Sequence, residues 1–157
     1  MPLSRFERAE DSPGFLLWQL TNLWQQRMRS ALTPLGITHV QFVLLVSVAW
    51  LENSNKLVSQ ASLSHHAHTD VMMTSQVVRT LEEKGLLTRA VHPTDTRARV
   101  VSLTTEGRKV AQQAAAVVET ADEQFFRELG GQASGFARSM QLLIRANTEV
   151  QNPSSKE

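Results

Sequence analysis

The chain of 157 residues contains no cysteine. This absence excludes disulfide bonds, thiolate metal sites and sensing by cysteine oxidation. The chain also has no long hydrophobic run, because its most apolar stretch, residues 40–51, is too short to span a membrane and is interrupted by Gln41 and Ser47. The N-terminus carries no charged-then-apolar targeting signal. We therefore expect a soluble, cytoplasmic protein that does not associate with a membrane.

The sequence lacks the local motifs of common catalytic and nucleotide sites. It has no nucleophile elbow, no glycine-rich phosphate-binding loop and no dinucleotide fingerprint. We therefore predict neither enzymatic activity nor a cofactor. The length is that of a single domain with a proper core, and no internal repeat or low-complexity segment is present.

Positive and negative charges nearly balance over the whole chain. It has 16 Lys and Arg residues and 15 Asp and Glu residues, which leave a net charge of +1. The position of the charges therefore matters more than their number. Between residues 84 and 109 the negative side chains are Asp95 and Glu106. The positive side chains of the same window are Lys84, Arg89, Arg97, Arg99, Arg108 and Lys109. This basic window is either a surface for an anionic partner or an ordinary solvated face.

Residues 69–103 organise the chain, because they combine a helix with a hairpin. An apolar stripe predicts a helix that begins at Thr69 or Asp70 as N-cap and ends at Gly85. The stripe consists of Thr74, Val77, Val78 and Leu81. The opposite face is mostly uncharged and carries Met72, Ser75, Gln76, Arg79 and Glu83, with Met73 on its flank. We expect the stripe to pack on a core and the opposite face to lie in solvent.

Two runs rich in strand-forming residues follow this helix, at 86–92 and 99–103. They predict a hairpin whose tip carries Asp95, Arg97 and Arg99. A helix with a polar outer face, followed by a basic hairpin, is the layout of a winged helix-turn-helix. Such a helix can enter the major groove of DNA, and an arginine at the hairpin tip can enter the minor groove.

The chain resembles the MarR (multiple-antibiotic-resistance) family of transcriptional regulators. The resemblance lies in LEEKGLLTR at residues 81–89, DTR at 95–97 and VSLTTEG at 101–107, at the spacing that the family uses. In helix order it extends over roughly residues 12–150. The resemblance implies a helical dimer platform. It also implies a small-molecule effector, often aromatic and anionic, that binds between this platform and the DNA-binding region and lowers the affinity for DNA.

The whole chain is predicted to be mainly α with a small β-hairpin wing, with four helices before the hairpin and two after it. Candidate N-caps for the other helices are Ser12, Thr38, Ser59 and Thr104. The predicted parts are a flexible arm at 1–11, a single domain at 12–151 and a disordered tail at 152–157. Within the domain we predict dimerisation helices at 12–35 and 104–151 and a winged-helix DNA-binding region at 38–103.

The first and last helices have broader apolar faces than a small monomer needs. The first carries Leu16, Leu20, Trp24, Met28 and Leu32 at a spacing of four residues, and the last carries Phe136, Met140, Leu143 and Ile144. We therefore predict a homodimer formed through these helices, the alternative being that the stripes only complete a monomer core. The second helix is apolar nearly all round, Trp50 included, and is expected to be the buried central helix.

A two-fold dimer would place its recognition helices about one turn of DNA apart, so the predicted target is an inverted repeat in double-stranded DNA. Gln76 can pair with adenine, and Met72 and Met73 can contact thymine methyl groups, which favours A/T-rich half-sites. For Met73 the alternative is packing in the core. Arg97 matches the wing arginine of the family, with Asp95 as its orienting partner. The predicted contacts are Met72, Met73, Ser75, Gln76 and Arg79 on the helix, and Asp95, Thr96, Arg97 and Arg99 on the wing.

Aromatic and basic side chains near the first two helices are candidates for the effector pocket. They are Trp18, Trp24, Met28, His39 and Trp50, with Arg27 or Arg29 as the partner of a carboxylate. Core aromatic residues would produce the same pattern.

Two other functions remain open from the residues alone. Three histidines, His65, His66 and His68, precede Asp70 and could make a metal-responsive regulator. We assign no metal site, because the cluster lies at a helix junction and lacks the glutamate of the H-E-x-x-H motif. The second alternative is a winged helix that binds a protein instead of DNA, which the basic hairpin tip disfavours.

Overall fold

The computed structural model describes the backbone of residues 4–54 and 56–151 and the side chains of this range up to residue 148. In these residues it contains six α-helices and one antiparallel hairpin, in the predicted order. The helices are α1 Pro13–Leu32, α2 His39–Glu52, α3 Gln60–Ala67, α4 Val71–Glu83, α5 Thr105–Phe126 and α6 Ala133–Gln151, and the strands are β1 Leu87–Val91 and β2 Arg99–Leu103. The predicted tail at 152–157 lies outside the described residues.

The helices begin where the sequence places N-caps. Ser12 Oγ accepts a hydrogen bond from the Phe15 amide, and Ser59 Oγ accepts one from the Ser62 amide. Thr38 forms a reciprocal capping box at the start of α2. Each bond satisfies an amide that has no partner inside its helix, so the predicted helix starts are confirmed.

The predicted bounds of the N-terminal arm and of the fifth helix differ from the structure. A 3₁₀ turn at Ala9–Asp11 lies within the predicted flexible arm. The apolar spacing of the fifth helix continues to Leu129 and predicts a helix that ends at Gly130, but in the structure α5 ends at Phe126 and continues as a 3₁₀ segment, Arg127–Gln132. Gly130 has φ 48° and ψ −126°, a backbone conformation that breaks the helical hydrogen-bond pattern and that glycine adopts without a Cβ clash.

By its contacts the chain forms two compact units, residues 1–121 and 122–157. The core of the first unit draws side chains from five helices and both strands. Its fully buried members include Met28, Leu32, Leu44, Leu45, Val48, Leu63, Val78, Leu81, Leu87, Val101 and Ala114. The second helix supplies three of these residues, so it is central as predicted. Trp50 is an exception, because it lies on the outer side of α2 and is 69% exposed.

The hairpin pairs Leu87 with Leu103 and Val91 with Arg99. A short extended segment before α3 adds to its outer edge, where the Val101 amide donates to the Val58 carbonyl over 2.8 Å and Ser59 bridges to Val100. The sequence also favours a short strand at 56–58, but in the described part of this segment the pairing is a single bridge, at Ser59.

The second unit contains the end of α5 and the whole of α6. Phe126 contacts Phe136 at a ring distance of 6.1 Å. In the part of the chain that the structure describes, no single helix is long and apolar enough to cross a membrane; the segments Pro13–Leu35 and His39–Glu52 satisfy that length and composition only together, across a bend of 75°.

Candidate nucleic-acid interface

The helix-turn-helix formed by α3 and α4 is held by a chain of hydroxyl groups. Thr74, which is fully buried, donates from Oγ1 to the Asp70 carbonyl at 2.8 Å. Because that donation uses its only hydroxyl hydrogen, Thr69 must donate in the 2.7 Å contact between the two threonine hydroxyls. Ser64, at the end of α3, donates to the Thr69 carbonyl at 2.6 Å. These bonds join both helices to the turn and fix the angle at which α4 leaves it.

The recognition helix α4 begins at Asp70, whose Oδ1 accepts a hydrogen bond from the Met73 amide at 3.0 Å. Its predicted apolar stripe packs into the core, with Thr74, Val78 and Leu81 buried and Val77 half-buried. The stripe is therefore confirmed, and it leaves the opposite face of α4 in solvent.

The predicted contact residues on α4 lie on this solvent face. Met72 is 82% exposed, Gln76 and Arg79 are exposed, and Ser75 is half-buried. Met73 is 42% exposed, so it is not a core residue of this chain. The methionine side chains and the polar side chains thus share one accessible surface.

Val71 also belongs to this surface, although its helical position aligns it with the buried stripe. It is 65% exposed, although Thr74, three residues later on the same stripe, is buried, so the core ends between these two positions. Position relative to the N-cap could have indicated this, since periodicity alone does not show where a core ends.

The tip of the wing is a turn closed by its own backbone. The His92 amide donates to the Ala98 carbonyl at 3.1 Å, and the Ala98 amide donates to the Asp95 carbonyl at 3.0 Å. Asp95 Oδ1 accepts a hydrogen bond from the Arg97 amide at 3.0 Å. The Asp95 carboxylate therefore supports the backbone of Arg97, a contact with the amide group rather than with the guanidinium group.

The two arginines of the wing differ in their contacts. Arg99 Nη1 donates to the Thr96 and Ala98 carbonyls, both at 3.4 Å. The Arg97 guanidinium is exposed and forms no hydrogen bond or ion pair with another residue of the described range. Arg97 therefore has fewer contacts within the protein than Arg99, the other cation of the wing.

Four of the six positive side chains in the basic window form hydrogen bonds or ion pairs within the protein, Arg99 among them. Lys84 Nζ donates to the Gly36 carbonyl at 2.7 Å and to Gln41 Oε1 at 3.1 Å. Arg89 pairs with Glu82, and Arg108 pairs with Glu52. The positive window at 84–109 is therefore less basic toward a partner than its composition suggests. Its outward charge is concentrated at the wing.

The predicted effector residues do not share one environment. Met28 is fully buried in the core, whereas Trp18 and Trp50 are exposed. Trp24 and His39 contact each other edge to face, with 5.0 Å between ring centroids, and Gln25 Oε1 lies 3.0 Å from His39 Nδ1. The structure thus brings together one pair of the five predicted residues.

The histidines near the helix-turn-helix do not form a metal site in the described range, where no three His, Cys, Asp or Glu side chains are placed to hold an ion. The rings of His65 and His68 lie 6.4 Å apart. His68 closes α3 in the left-handed conformation, with φ 51°, so it serves as a helix C-cap.

Most residues of this surface lie within a segment of the chain that matches a known protein family. The model of the MarR family matches residues 37–98, which include α2, the helix-turn-helix and most of the wing. The chain is 43% identical over 123 residues to an uncharacterized HTH-type transcriptional regulator of Bacillus subtilis, YdcH, covering 78% of this chain and 84% of that protein. It is 34% identical over 137 residues to the HTH-type transcriptional repressor Rv2887 of Mycobacterium tuberculosis, covering 86% and 96%.

Solved structures have the same fold. The structure of Rv2887 in complex with DNA matches with a TM-score of 0.65 at 29% identity, covering 84% of this chain and 97% of that one. CouR of Rhodococcus jostii RHA1, bound to p-coumaroyl-CoA, matches with a TM-score of 0.75 at 25% identity, covering 88% and 95%.

Proposed function

Because this chain belongs to the MarR family of DNA-binding transcriptional regulators, we propose that it is a repressor that binds an inverted-repeat operator as a homodimer and leaves it when a small molecule binds. The observation that carries the proposal is the solvent face of α4, which the buried stripe and the hydroxyl-linked turn hold in one orientation. Orientation matters because base edges are recognised only by donors and acceptors in fixed positions.

Recognition of bases is assigned to the first two turns of α4. Three consecutive apolar side chains, Val71, Met72 and Met73, are exposed there. Exposed methyl groups favour contact with thymine methyl groups in the major groove. Gln76 offers the paired donor and acceptor that match adenine, and Ser75 and Arg79 add polar contacts. We therefore propose A/T-rich half-sites.

Attachment to the DNA backbone is assigned to the wing. Arg97 is the principal contact, because its guanidinium is exposed and has no recorded partner in the described chain. Arg99 and Thr96 support it, and Asp95 fixes the turn. An arginine here can enter the minor groove or meet phosphate, and both contacts add affinity with little dependence on base sequence.

Dimerisation is assigned to the first and last helices. In the single chain, α1 exposes Phe15, Leu16, Leu17, Trp18, Leu20 and Leu23, and α6 exposes Met140, Leu142, Leu143 and Ile144. Apolar faces of this extent are stabilised when a second subunit covers them. A two-fold dimer would carry two recognition helices, which is why the operator is proposed to be an inverted repeat.

Release is assigned to an aromatic, anionic effector. CouR, whose structure contains p-coumaroyl-CoA, is a relative in fold whose ligand has both properties. In this chain Trp24 and His39 form an aromatic pair at which such a ligand can bind, with Trp18, Met28 and Trp50 as further candidates. Two conformations must be compared, one that binds DNA and one that does not. An effector lowers the affinity for DNA only if its own affinity is higher for the conformation that does not bind DNA.

The test is selection of bound sequences from a random double-stranded DNA pool by the purified protein at physiological salt. The expected product is an A/T-rich inverted repeat whose half-sites lie about ten base pairs apart. Binding without enrichment of any sequence would contradict operator recognition, and enrichment of single half-sites would contradict the dimer. Absence of DNA binding would overturn the proposal as a whole.

A further inference from the structure

One carboxylate joins three elements at the base of the wing. Glu52 is the last residue of α2. Its Oε1 accepts a hydrogen bond from the Leu103 amide at 3.0 Å, and its Oε2 accepts one from Arg108 Nη2 at 2.6 Å. Leu103 ends β2, and Arg108 lies in the first turn of α5. The Glu52 side chain is only 21% exposed, so its bond to the Leu103 amide is partly shielded from water and salt, whereas its bond to Arg108, which is 49% exposed, faces solvent.

The bond to Leu103 continues the hydrogen-bond pattern of the outer edge of β2. Amides of alternate residues point to the same side of a strand, and the Val101 amide on this side donates to the Val58 carbonyl. Leu103 is the next residue whose amide points there. The Glu52 carboxylate therefore takes the place of a missing neighbouring strand at the base of the wing.

Because the wing is long, a small movement at its base, where Glu52 bonds to Leu103, becomes a larger movement at its tip. From Leu103 the extended strand β2 reaches Arg99, four residues away, which corresponds to about 13 Å at about 3.3 Å per residue, and Arg97 lies beyond it in the turn. A rotation of about 10° at the base would displace the far end of the strand, and Arg97 with it, by about 2 Å over that length. A displacement of that size is enough to break a hydrogen bond to a phosphate.

We propose that Glu52 is a positioning residue for DNA binding, which holds the base of the wing against α2 and α5 so that Arg97 reaches the DNA. This inference rests on the proposed function, in which Arg97 contacts DNA. Glu52 itself does not touch DNA in this proposal. Its effect on binding is therefore expected to act through the wing, where Arg97 is the principal contact.

The experiment compares Glu52→Ala, Glu52→Gln and Arg108→Ala with the unsubstituted protein and with Glu119→Ala, an exposed glutamate of α5 that serves as the control. Hydrogen exchange of the Leu103 amide is measured without DNA. Affinity for a random-sequence duplex is then measured against salt concentration, per correctly folded molecule. Arg97→Ala is added to each variant to give double-mutant cycles.

We expect Glu52→Ala to accelerate exchange at Leu103 and to weaken DNA binding about as much as Arg97→Ala does, by roughly tenfold at low salt. Adding Arg97→Ala to Glu52→Ala should then change little, because the wing contact is already lost. Glu52→Gln keeps the acceptor for the Leu103 amide and should restore most of the slow exchange and most of the affinity. Arg108→Ala isolates the ion pair, which keeps the test valid if Glu52→Ala does not fold.

Two results would overturn the inference. One is unchanged exchange at Leu103 in Glu52→Ala, which would show that the carboxylate does not hold the strand. The other is additive loss of affinity from Glu52→Ala and Arg97→Ala, since a general loss of stability is expected to add and a shared contact is not. If the unsubstituted protein binds no DNA, both the proposed function and the role of Glu52 in DNA binding are wrong. Hydrogen exchange of the Leu103 amide would still show whether Glu52 holds the base of the wing.

Discussion

At the scale of single residues, Gly107 shows how closely α5 approaches the connection between α4 and β1. A Cβ atom built at this position would lie 1.8 Å from the Leu86 carbonyl oxygen, which is a backbone atom that cannot rotate away. The same carbonyl accepts a hydrogen bond from the Thr104 amide, and Thr104 Oγ1 caps the helix by accepting from the Gly107 amide at 2.9 Å. The φ of Gly107 is not in the left-handed region, so its backbone conformation does not require glycine. The close approach to Leu86 does require it.

We predict that Gly107→Ala lowers the free energy of unfolding by about 1–3 kcal/mol or more, because the added methyl group forces the backbone of Leu86 away from α5. Urea denaturation followed by circular dichroism measures this change. Gly14→Ala is the matched control, since it lies in α1 with no atom within 4 Å of the added Cβ. Equal stability of the two variants would contradict the close approach.

The division of labour between helix and wing is also tested at single residues. We predict that Gln76→Ala relaxes the preference at one base pair, at a cost of about 1–3 kcal/mol for the preferred base. Arg97→Ala should weaken binding to all sequences and reduce the salt slope by about one unit. Titration of operator and random duplexes at several salt concentrations measures both.

Lys109→Ala is the control for Arg97, because it removes the same charge from an exposed position on α5 outside the wing and α4. Identical losses on operator and random DNA from Gln76→Ala and Arg97→Ala would contradict this division. A loss from Lys109→Ala equal to that from Arg97→Ala would show that only net charge matters.

At the scale of elements, the turn between α3 and α4 depends on hydroxyl groups rather than on apolar packing alone. Thr74→Val keeps the shape of the side chain but removes the donor to the Asp70 carbonyl and the acceptor for Thr69. We predict a loss of about 1–2 kcal/mol in the free energy of unfolding, because both hydrogen bonds of the buried Thr74 hydroxyl are lost while the Asp70 carbonyl keeps only the Thr74 amide as donor. Operator affinity should fall as well, since α4 loses a bond that sets its orientation.

Thermal unfolding and operator binding of the same preparation measure these two effects. The control is Thr80→Val, which also removes a threonine hydroxyl that bonds to a helical carbonyl, here that of Gln76 at 3.2 Å, and has no recorded bond to α3. If both variants lost the same stability and affinity, the hydroxyl chain would have no special role in the turn.

The elements themselves were largely predictable, because they depend on residues close in sequence. The stripe of α4 and the caps at Ser12, Thr38 and Ser59 follow from spacings of three or four residues. The end of α5 at Phe126 was not predicted. Its apolar spacing continues to Leu129, and only the backbone of the 3₁₀ segment shows where the regular helix stops.

At the scale of the whole molecule, the exposed faces of α1 and α6 carry the proposal of a dimer. We predict that Leu17→Asp or Leu143→Asp gives a monomer at micromolar concentration, because a charge would be buried without a partner in the subunit interface. Both side chains are exposed in the single chain, so its fold should survive. Sedimentation equilibrium measures the mass, and the affinity for the inverted repeat should fall with the loss of the dimer.

Leu57→Asp is the control for the dimer, since Leu57 is similarly exposed but precedes α3 in the DNA-binding region. A dimeric mass for both helix variants, or a monomeric mass for the unsubstituted protein, would contradict dimerisation through α1 and α6. The folded state of each variant is verified by its far-ultraviolet circular dichroism.

The sequence alone determined the helices, the hairpin, the outward face of α4 and the family motifs, because periodicity, capping and motif spacing are local properties of a chain. Only the tertiary structure decided which positive side chains are bound within the protein and which remain available to a partner. Lys84 turns to Gly36, 48 residues away, and Arg108 turns to Glu52, 56 residues away. It also decided that Gly107 meets the Leu86 carbonyl. Such pairs are distant in sequence, and only folding brings them within a few ångströms, where hydrogen bonds and steric exclusion act.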